Sequence, residues 1–285
     1  MEQIVYLNGS LIPRSQAKIS SFDLGFLYGY ALFETMRSYS GHIFRLSAHL
    51  ERLKRSAAQL GIPLSTPKLE KACYNTLKAN KLSNARIRLT VSIGEGEAVP
   101  DLPKQPRPTV LVMAASFAPP SIETYRKGYR AILSTLRQNS QSPLSRLKTA
   151  NYLNHILARK EAKEKGADEA IMLNERGFLC EGCTSNIFLA SKGMLITPNL
   201  DTGCLPGVTR QTVIELAPEL GIKVMEREVR LEELLQADEA FLTNSLIELM
   251  PLTKVNGKLI GRGNKGKLTE RLMSAYKEMV AQDIE

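Results

Sequence analysis

The chain is poor in the runs and residues that would assign it to several large classes of protein. No window reaches about eighteen consecutive apolar residues, the least that a membrane-crossing helix needs, so no membrane partner is expected. The start, Met1-Glu2-Gln3-Ile4, lacks a basic stretch followed by an apolar run, and no secretory signal is read there. Cysteine occurs four times in 285 residues at uneven spacing, which argues against a disulfide framework and suits a reducing, cytoplasmic location. Cys180 and Cys183 form a C-x-x-C pair, but no second pair or spaced histidines complete a tetrahedral site, so no metal is expected. The three histidines, His42, His49 and His155, have no metal or catalytic spacing and are expected to be structural. Repeats and low-complexity tracts are absent as well.

What remains is an ordinary globular composition, 43% hydrophobic and 24% charged, in a chain long enough for two domains. The formal charge of +9 is spread among acidic residues rather than gathered with aromatics, so nucleic acid is not an expected partner. A positive potential suits a small anionic substrate instead.

Ile4–Leu7 and Leu32–Arg37 read as strands, and Asn8-Gly9 is a turn signal between the first strand and a hairpin partner. Leu50, Leu53, Ala57 and Leu60 predict a helix over 47–60, closed by Gly61 and Pro63. Strands are expected at 86–93 and 109–115. An N-terminal α/β domain then covers residues 1–117, and Ala118-Pro119-Pro120-Ser121 opens a linker over 118–127. A larger C-terminal domain, 128–285, is expected to hold helices at 152–165, 208–220 and 267–281 and strands at 169–173 and 186–190.

Chemistry concentrates in this second half. Glu181, in Glu181-Gly182-Cys183-Thr184-Ser185-Asn186, follows Lys148 by 33 residues. An amine able to form a Schiff base and a carboxylate able to hold a pyridinium nitrogen are two of the groups that pyridoxal phosphate requires. The third is a phosphate cradle. Leu205-Pro206-Gly207-Val208-Thr209-Arg210 opens an amphipathic stretch whose first backbone N–H groups, with the Thr209 hydroxyl, suit a dianion.

These segments, with Tyr28-Gly29 before Phe33-Glu34, the helix His49-Leu50-Glu51-Arg52-Leu53, and Thr243-Asn244-Ser245, occur in the order of the class IV aminotransferases, also called fold-type IV pyridoxal-phosphate enzymes. The chain resembles that family nearly end to end. The resemblance implies a two-domain α/β fold of the α+β type, with a small N-terminal and a larger C-terminal domain, assembled as a homodimer. It implies that Lys148 carries the cofactor and works as acid and base, and that Glu181 holds the pyridine nitrogen. Arg52, Val208, Thr209 and Ser245 are implied as phosphate contacts, Tyr152 as a partner of the phenolic oxygen, and Tyr28 and Arg88 as substrate contacts.

Within the family, the branched-chain aminotransferases usually carry Gly at the position of Thr35, Tyr at that of Arg86 and Gly-Thr-Ala at 244–246. The D-amino-acid branch places a carboxylate-trapping arginine where this chain has Ile93. The stretches Phe22 to Gly29, Phe33-Glu34-Thr35, Arg146-Leu147-Lys148, Thr243-Asn244-Ser245 and Pro251-Leu252-Thr253-Lys254 are more similar to 4-amino-4-deoxychorismate lyases. In that branch a threonine at the position of Thr35 handles a proton beside the leaving pyruvate. Against it, Asn256-Gly257-Lys258-Leu259-Ile260 resembles the aminotransferase pattern, so an aminotransferase of D- or branched-chain amino acids stands as the alternative expectation.

Overall fold

A computed structural model describes residues 2–284. Contacts divide the chain into two units, one running to Ala118 and taking in Leu147–Asn151, the other comprising Pro119–Arg146 and Tyr152–Asp283.

The first unit contains β1 (Ile4–Leu7), β2 (Ser10–Pro13), α1 (Leu24–Tyr28), β3 (Ala31–Tyr39), β4 (His42–Ile43), α2 (Leu46–Gln59), α3 (Thr66–Ala79), β5 (Ala85–Ser92) and β6 (Val110–Ser116). Its six strands lie in the order β2-β1-β6-β5-β3-β4. The β1–β2 hairpin turns at Asn8 and Gly9, both at positive φ, the geometry that matches the twist of the strands it joins. Along β3, side chains alternate between the two faces of the sheet. Leu32, Glu34, Met36 and Ser38 are buried, with Leu32 and Met36 in one core with Leu46, Leu50, Leu53 and Ala57 of α2. Burying each such leucine contributes roughly 1.5–3 kcal/mol. The other face carries Phe33, Thr35, Arg37 and Tyr39.

The second unit contains α4 (Ile122–Lys127), β7 (Tyr129–Gln138), α5 (Leu153–Glu164), β8 (Glu169–Asn174), β9 (Leu179–Gly182), β10 (Asn186–Ser191), β11 (Met194–Pro198), α6 (Val208–Glu219), β12 (Val224–Arg227), α7 (Leu231–Leu235), β13 (Glu239–Asn244), β14 (Glu248–Val255), β15 (Lys258–Leu259) and α8 (Lys267–Ile284). The strands follow the order β12-β11-β10-β13-β14-β7-β8-β9, with β15 on β14. β8 is buried along its whole length. Ala158 and Ala162 of α5, small enough for close approach, pack in one cluster with Ile132, Ala170 and Met172. No described helix is long and apolar enough to cross a membrane.

Two segments differ from their sequence reading. The expected linker contains α4, because the prolines end at Pro120 and Ser121 then caps the helix, accepting from Thr124 N. The Lys148 segment, read as part of the C-terminal domain, packs with the first unit by extending the free edge of β3. Phe33 N donates to Lys148 O at 2.9 Å, Ala150 N donates to Ala31 O at 2.8 Å, and Leu147 is buried in the first core.

Candidate active site

In the first unit, Lys148 is half-buried, with Nζ 4.6 Å from the centroid of the Phe33 ring. Arg88 stands over the same ring, Cζ at 3.9 Å, and pairs in register with Thr35. The ring's negative face attracts both cations. Phe33, Thr35 and Arg88 therefore share one sheet face with the Lys148 amine. Tyr28 is exposed at the end of α1, where Gly29 takes the left-handed conformation and its carbonyl accepts from Asn151 Nδ2 at 3.0 Å. A cavity of about 400 Å³ opens nearby, bounded by Thr90 and Leu111 of the same face and by Phe26 and Ala150.

Arg52 lies on the opposite, buried face. Its Nε donates to Glu34 Oε1 at 2.8 Å and its Nη2 to Glu34 Oε2 at 2.5 Å, while His49 Nδ1 lies 2.7 Å from that second oxygen. Burial pushes the Glu34 carboxyl up, but the Arg52 charge and the hydrogen bonds from His49 and Arg52 overcome it and hold the group at about 2. His49 is pushed down by burial, against the pull of Glu34, with Arg52 and Lys148 adding to the depression. Neither Glu34 nor His49 is among the site residues expected from sequence. The signal was present in part: Glu34 alternates in phase with Leu32 and Met36, which points it inward, and an inward carboxylate needs a cation.

The second unit carries Glu181, buried on β9. Its Oε2 accepts from Leu205 N at 3.0 Å and, more distantly, from Asn186 Nδ2 at 3.5 Å. Asn186 Nδ2 also donates to Leu205 O at 2.8 Å, and a side chain on Gly207 would overlap Asn186 Oδ1. Glycine at 207 thus answers a close approach, and Asn186 couples the carboxylate to the start of α6. That helix opens at Gly207 without a side-chain cap, followed by half-buried Val208 and buried Thr209. Its first N–H groups have no partner within the helix, which suits them to an anion. Arg210 faces elsewhere, donating to Pro198 O at 2.9 Å and to Glu226 at 2.6 Å. Ser245 lies in a turn closed by Asn244, whose Oδ1 accepts from Leu246 N and Ile247 N, both at 2.9 Å.

The loop after Glu181 is held from several sides. Tyr152 Oη donates to Cys183 O at 3.1 Å, and His155 Nδ1 lies 3.1 Å from the same oxygen, the two rings stacked 4.5 Å apart. Glu169, buried at the start of β8, accepts from the Cys183 thiol, from Thr184 Oγ1 at 2.9 Å and from Ser185 Oγ at 3.0 Å. Glu169 was not a sequence candidate either. Burial, reinforced by nearby glutamates, pushes the Cys180 and Cys183 thiols up, so the C-x-x-C pair is held protonated.

The model of the family "Amino-transferase class IV" matches residues 31–255. The chain belongs to the class IV aminotransferase family. A Bacillus subtilis aminodeoxychorismate lyase is 37% identical over 97% of this chain and 94% of its own. A Methanocaldococcus jannaschii relative, provisionally named a branched-chain-amino-acid aminotransferase, is 38% identical over 96% of each. Among solved structures, the Escherichia coli branched-chain amino acid aminotransferase superposes with a TM-score of 0.93 at 30% identity, covering 98% of this chain and 95% of that one. The fold is therefore the two-domain, mixed helix and strand fold of class IV aminotransferases, and the chain is an enzyme of that family.

Proposed function

We propose that this class IV enzyme uses pyridoxal 5'-phosphate and cleaves 4-amino-4-deoxychorismate to 4-aminobenzoate and pyruvate. The donor set fits the cofactor: a half-buried amine, a buried carboxylate, and an uncapped 12-residue helix beside a buried threonine, with Thr243 Oγ1 a further buried polar atom lacking a partner. Lys148 is assigned as the attachment amine and Glu181 as the partner of the pyridine nitrogen. Val208, Thr209 and Ser245 are assigned to the phosphate, together with Arg52 through the part of its guanidinium that does not hold Glu34, Tyr152 to the phenolic oxygen, and Tyr28 and Arg88 to the substrate. The bound cofactor supplies an electron sink next to the substrate nitrogen. Lys148 Nζ then accepts the proton from the carbon beside that nitrogen, and Thr35 Oγ1 manages a proton at the leaving enolpyruvyl group.

The observation that carries the lyase reading is Thr35 itself, in register with Arg88 on the Lys148 face. The lyase relative supports it. The alternative, transamination of a branched-chain or D-amino acid, is favoured for branched-chain substrates by the aminotransferase relatives and by the superposition. Incubation with aminodeoxychorismate and no 2-oxo acid decides between them. The lyase releases 4-aminobenzoate through many turnovers, whereas sustained, acceptor-dependent turnover of an amino acid with no 4-aminobenzoate overturns this assignment. The reading includes a homodimer in the cytoplasm, tested by solution mass at assay concentration, where a fully active monomer would contradict it.

A further inference from the structure

We infer that Glu169 is a positioning residue for the cofactor, acting through the loop 182–185, from which three side chains end on its carboxylate. The inference rests on Glu181, Tyr152 and Ser245 meeting the cofactor, as proposed above. Glu169 begins β8 and is 1% exposed. Its two oxygens accept from the Cys183 thiol, Thr184 Oγ1, Ser185 Oγ and the N–H of Ala170. These donors match the lone pairs that the two oxygens of a carboxylate offer. Arg159 Nη1, 4.0 Å from Oε1, partly offsets the buried charge.

The loop closes tightly over that carboxylate. Gly182 N donates to Ser185 O at 2.6 Å, and a side chain on Gly182 would overlap Ser185 Oγ and crowd Glu169 Cδ at 3.2 Å. The same loop touches each group that is assigned to the cofactor in this unit's strand and turn segments. Glu181 directly precedes it, and Asn186, which reaches Glu181 and Leu205, directly follows it. The Cys183 carbonyl accepts from Tyr152 Oη, and the Thr184 carbonyl accepts at 2.9 Å from Nδ2 of Asn244, the residue before Ser245. Contacts to the ring nitrogen, the phenolic oxygen and the phosphate therefore share one mount. A buried carboxylate is a demanding way to fill the start of a strand, since an apolar side chain there would need no donors. What it adds is a single point that fixes the loop's side chains, holding the loop within the about 0.5 Å that a preorganised site requires.

The test compares the holoenzymes of wild type, Glu169→Gln and Glu239→Gln. Glu239 is the control, because it also begins a strand and accepts from Leu268 N, Thr269 N and Thr269 Oγ1, yet holds the first turn of α8 at the far end of the β10–β13 pair from Asn186. Glutamine keeps the size of the side chain and turns one acceptor into a donor. Glu169→Gln is expected to hold cofactor at least about tenfold more weakly on dilution. The visible band of its bound cofactor should titrate about half a pH unit or more higher, because a ring held less firmly cationic withdraws less from the Lys148 nitrogen. Glu239→Gln should lower Tm without either change. A band that titrates in Glu169→Gln as in wild type overturns the inference, whatever the affinity. So does an equal shift in Glu239→Gln, which would mark general destabilisation. If Glu169→Gln does not fold, Thr184→Val and Ser185→Ala cut the same contacts from the loop, each with about threefold weaker binding and a shift in the same direction. Wild-type behaviour in both of these overturns the inference. A band that moves in Glu181→Ala but not in Glu169→Gln sinks the inference alone. One that moves in Glu169→Gln upholds it even if no 4-aminobenzoate forms, in which case the lyase reading alone falls.

Discussion

The two units each bury a carboxylate, and they hold it in opposite ways. Glu34 in the first unit is gripped by a guanidinium through two hydrogen bonds and by a histidine through a third contact. Glu181 in the second unit accepts from a backbone N–H and a side-chain amide, donors that stabilise a carboxylate without neutralising it. On the proposed function, the difference separates a carboxylate that holds Arg52 from one that would meet the cofactor's pyridine nitrogen. It predicts that substitutions at the two positions fail in different measurements.

The largest effect is expected from Lys148→Ala, which removes the amine and leaves the backbone that extends β3. Turnover should fall on the order of 10³-fold or more, with loss of the borohydride-sensitive colour and no change in circular dichroism. Retained colour would reject Lys148 as the attachment point.

The carboxylates come next. Glu34→Gln leaves the Arg52 charge buried against a neutral amide and should cost about 3–5 kcal/mol of stability, read as a lower denaturant midpoint. Glu181→Ala should keep most of the stability and bind cofactor while losing most activity. Equal stability losses in the two variants would erase the contrast between the two carboxylates.

Acid sharpens the same comparison. The folded value of Glu34, about 2, lies below its ordinary 4.5, so its contribution is fully present above 4.5 and is lost as pH falls toward 2. His49 is also depressed, from 6.5, and being favoured neutral in the fold it adds a loss that begins as pH drops below 6.5. The stability of wild type should therefore fall on acidification more steeply than that of Glu34→Gln between pH 4.5 and 2. Parallel profiles would show that Glu34 does not titrate as its surroundings require.

The smallest effect concerns Thr35→Val, nearly isosteric and on a half-buried strand position. Elimination should slow by about 10- to 100-fold while cofactor affinity stays within about twofold. An unchanged rate would make Thr35 an ordinary β-branched strand residue.

Much of this was legible in the chain. Local signals at Asn8-Gly9, Gly61 and Gly207 mark a hairpin turn, a helix end and a helix start, because each depends on a few neighbouring residues. α3 obeys the same helical spacing as α2, with Leu69, Ala72, Cys73 and Leu77 buried, but lies outside the elements read from sequence. Glu169 gave no signal, since β8 is buried on both faces and alternation there carries no information, while the loop it holds lies 14–16 residues downstream. The sequence by itself determined which chemical groups this protein has, in what order, and the family they define, because those are properties of residue type and spacing. Only the tertiary structure decided that Lys148 joins the first unit, that Arg52 grips Glu34, and that Thr35 and Arg88 stand opposite each other. Each of these depends on a strand edge, a face or a register, which arise when distant segments pair and which no local stretch encodes.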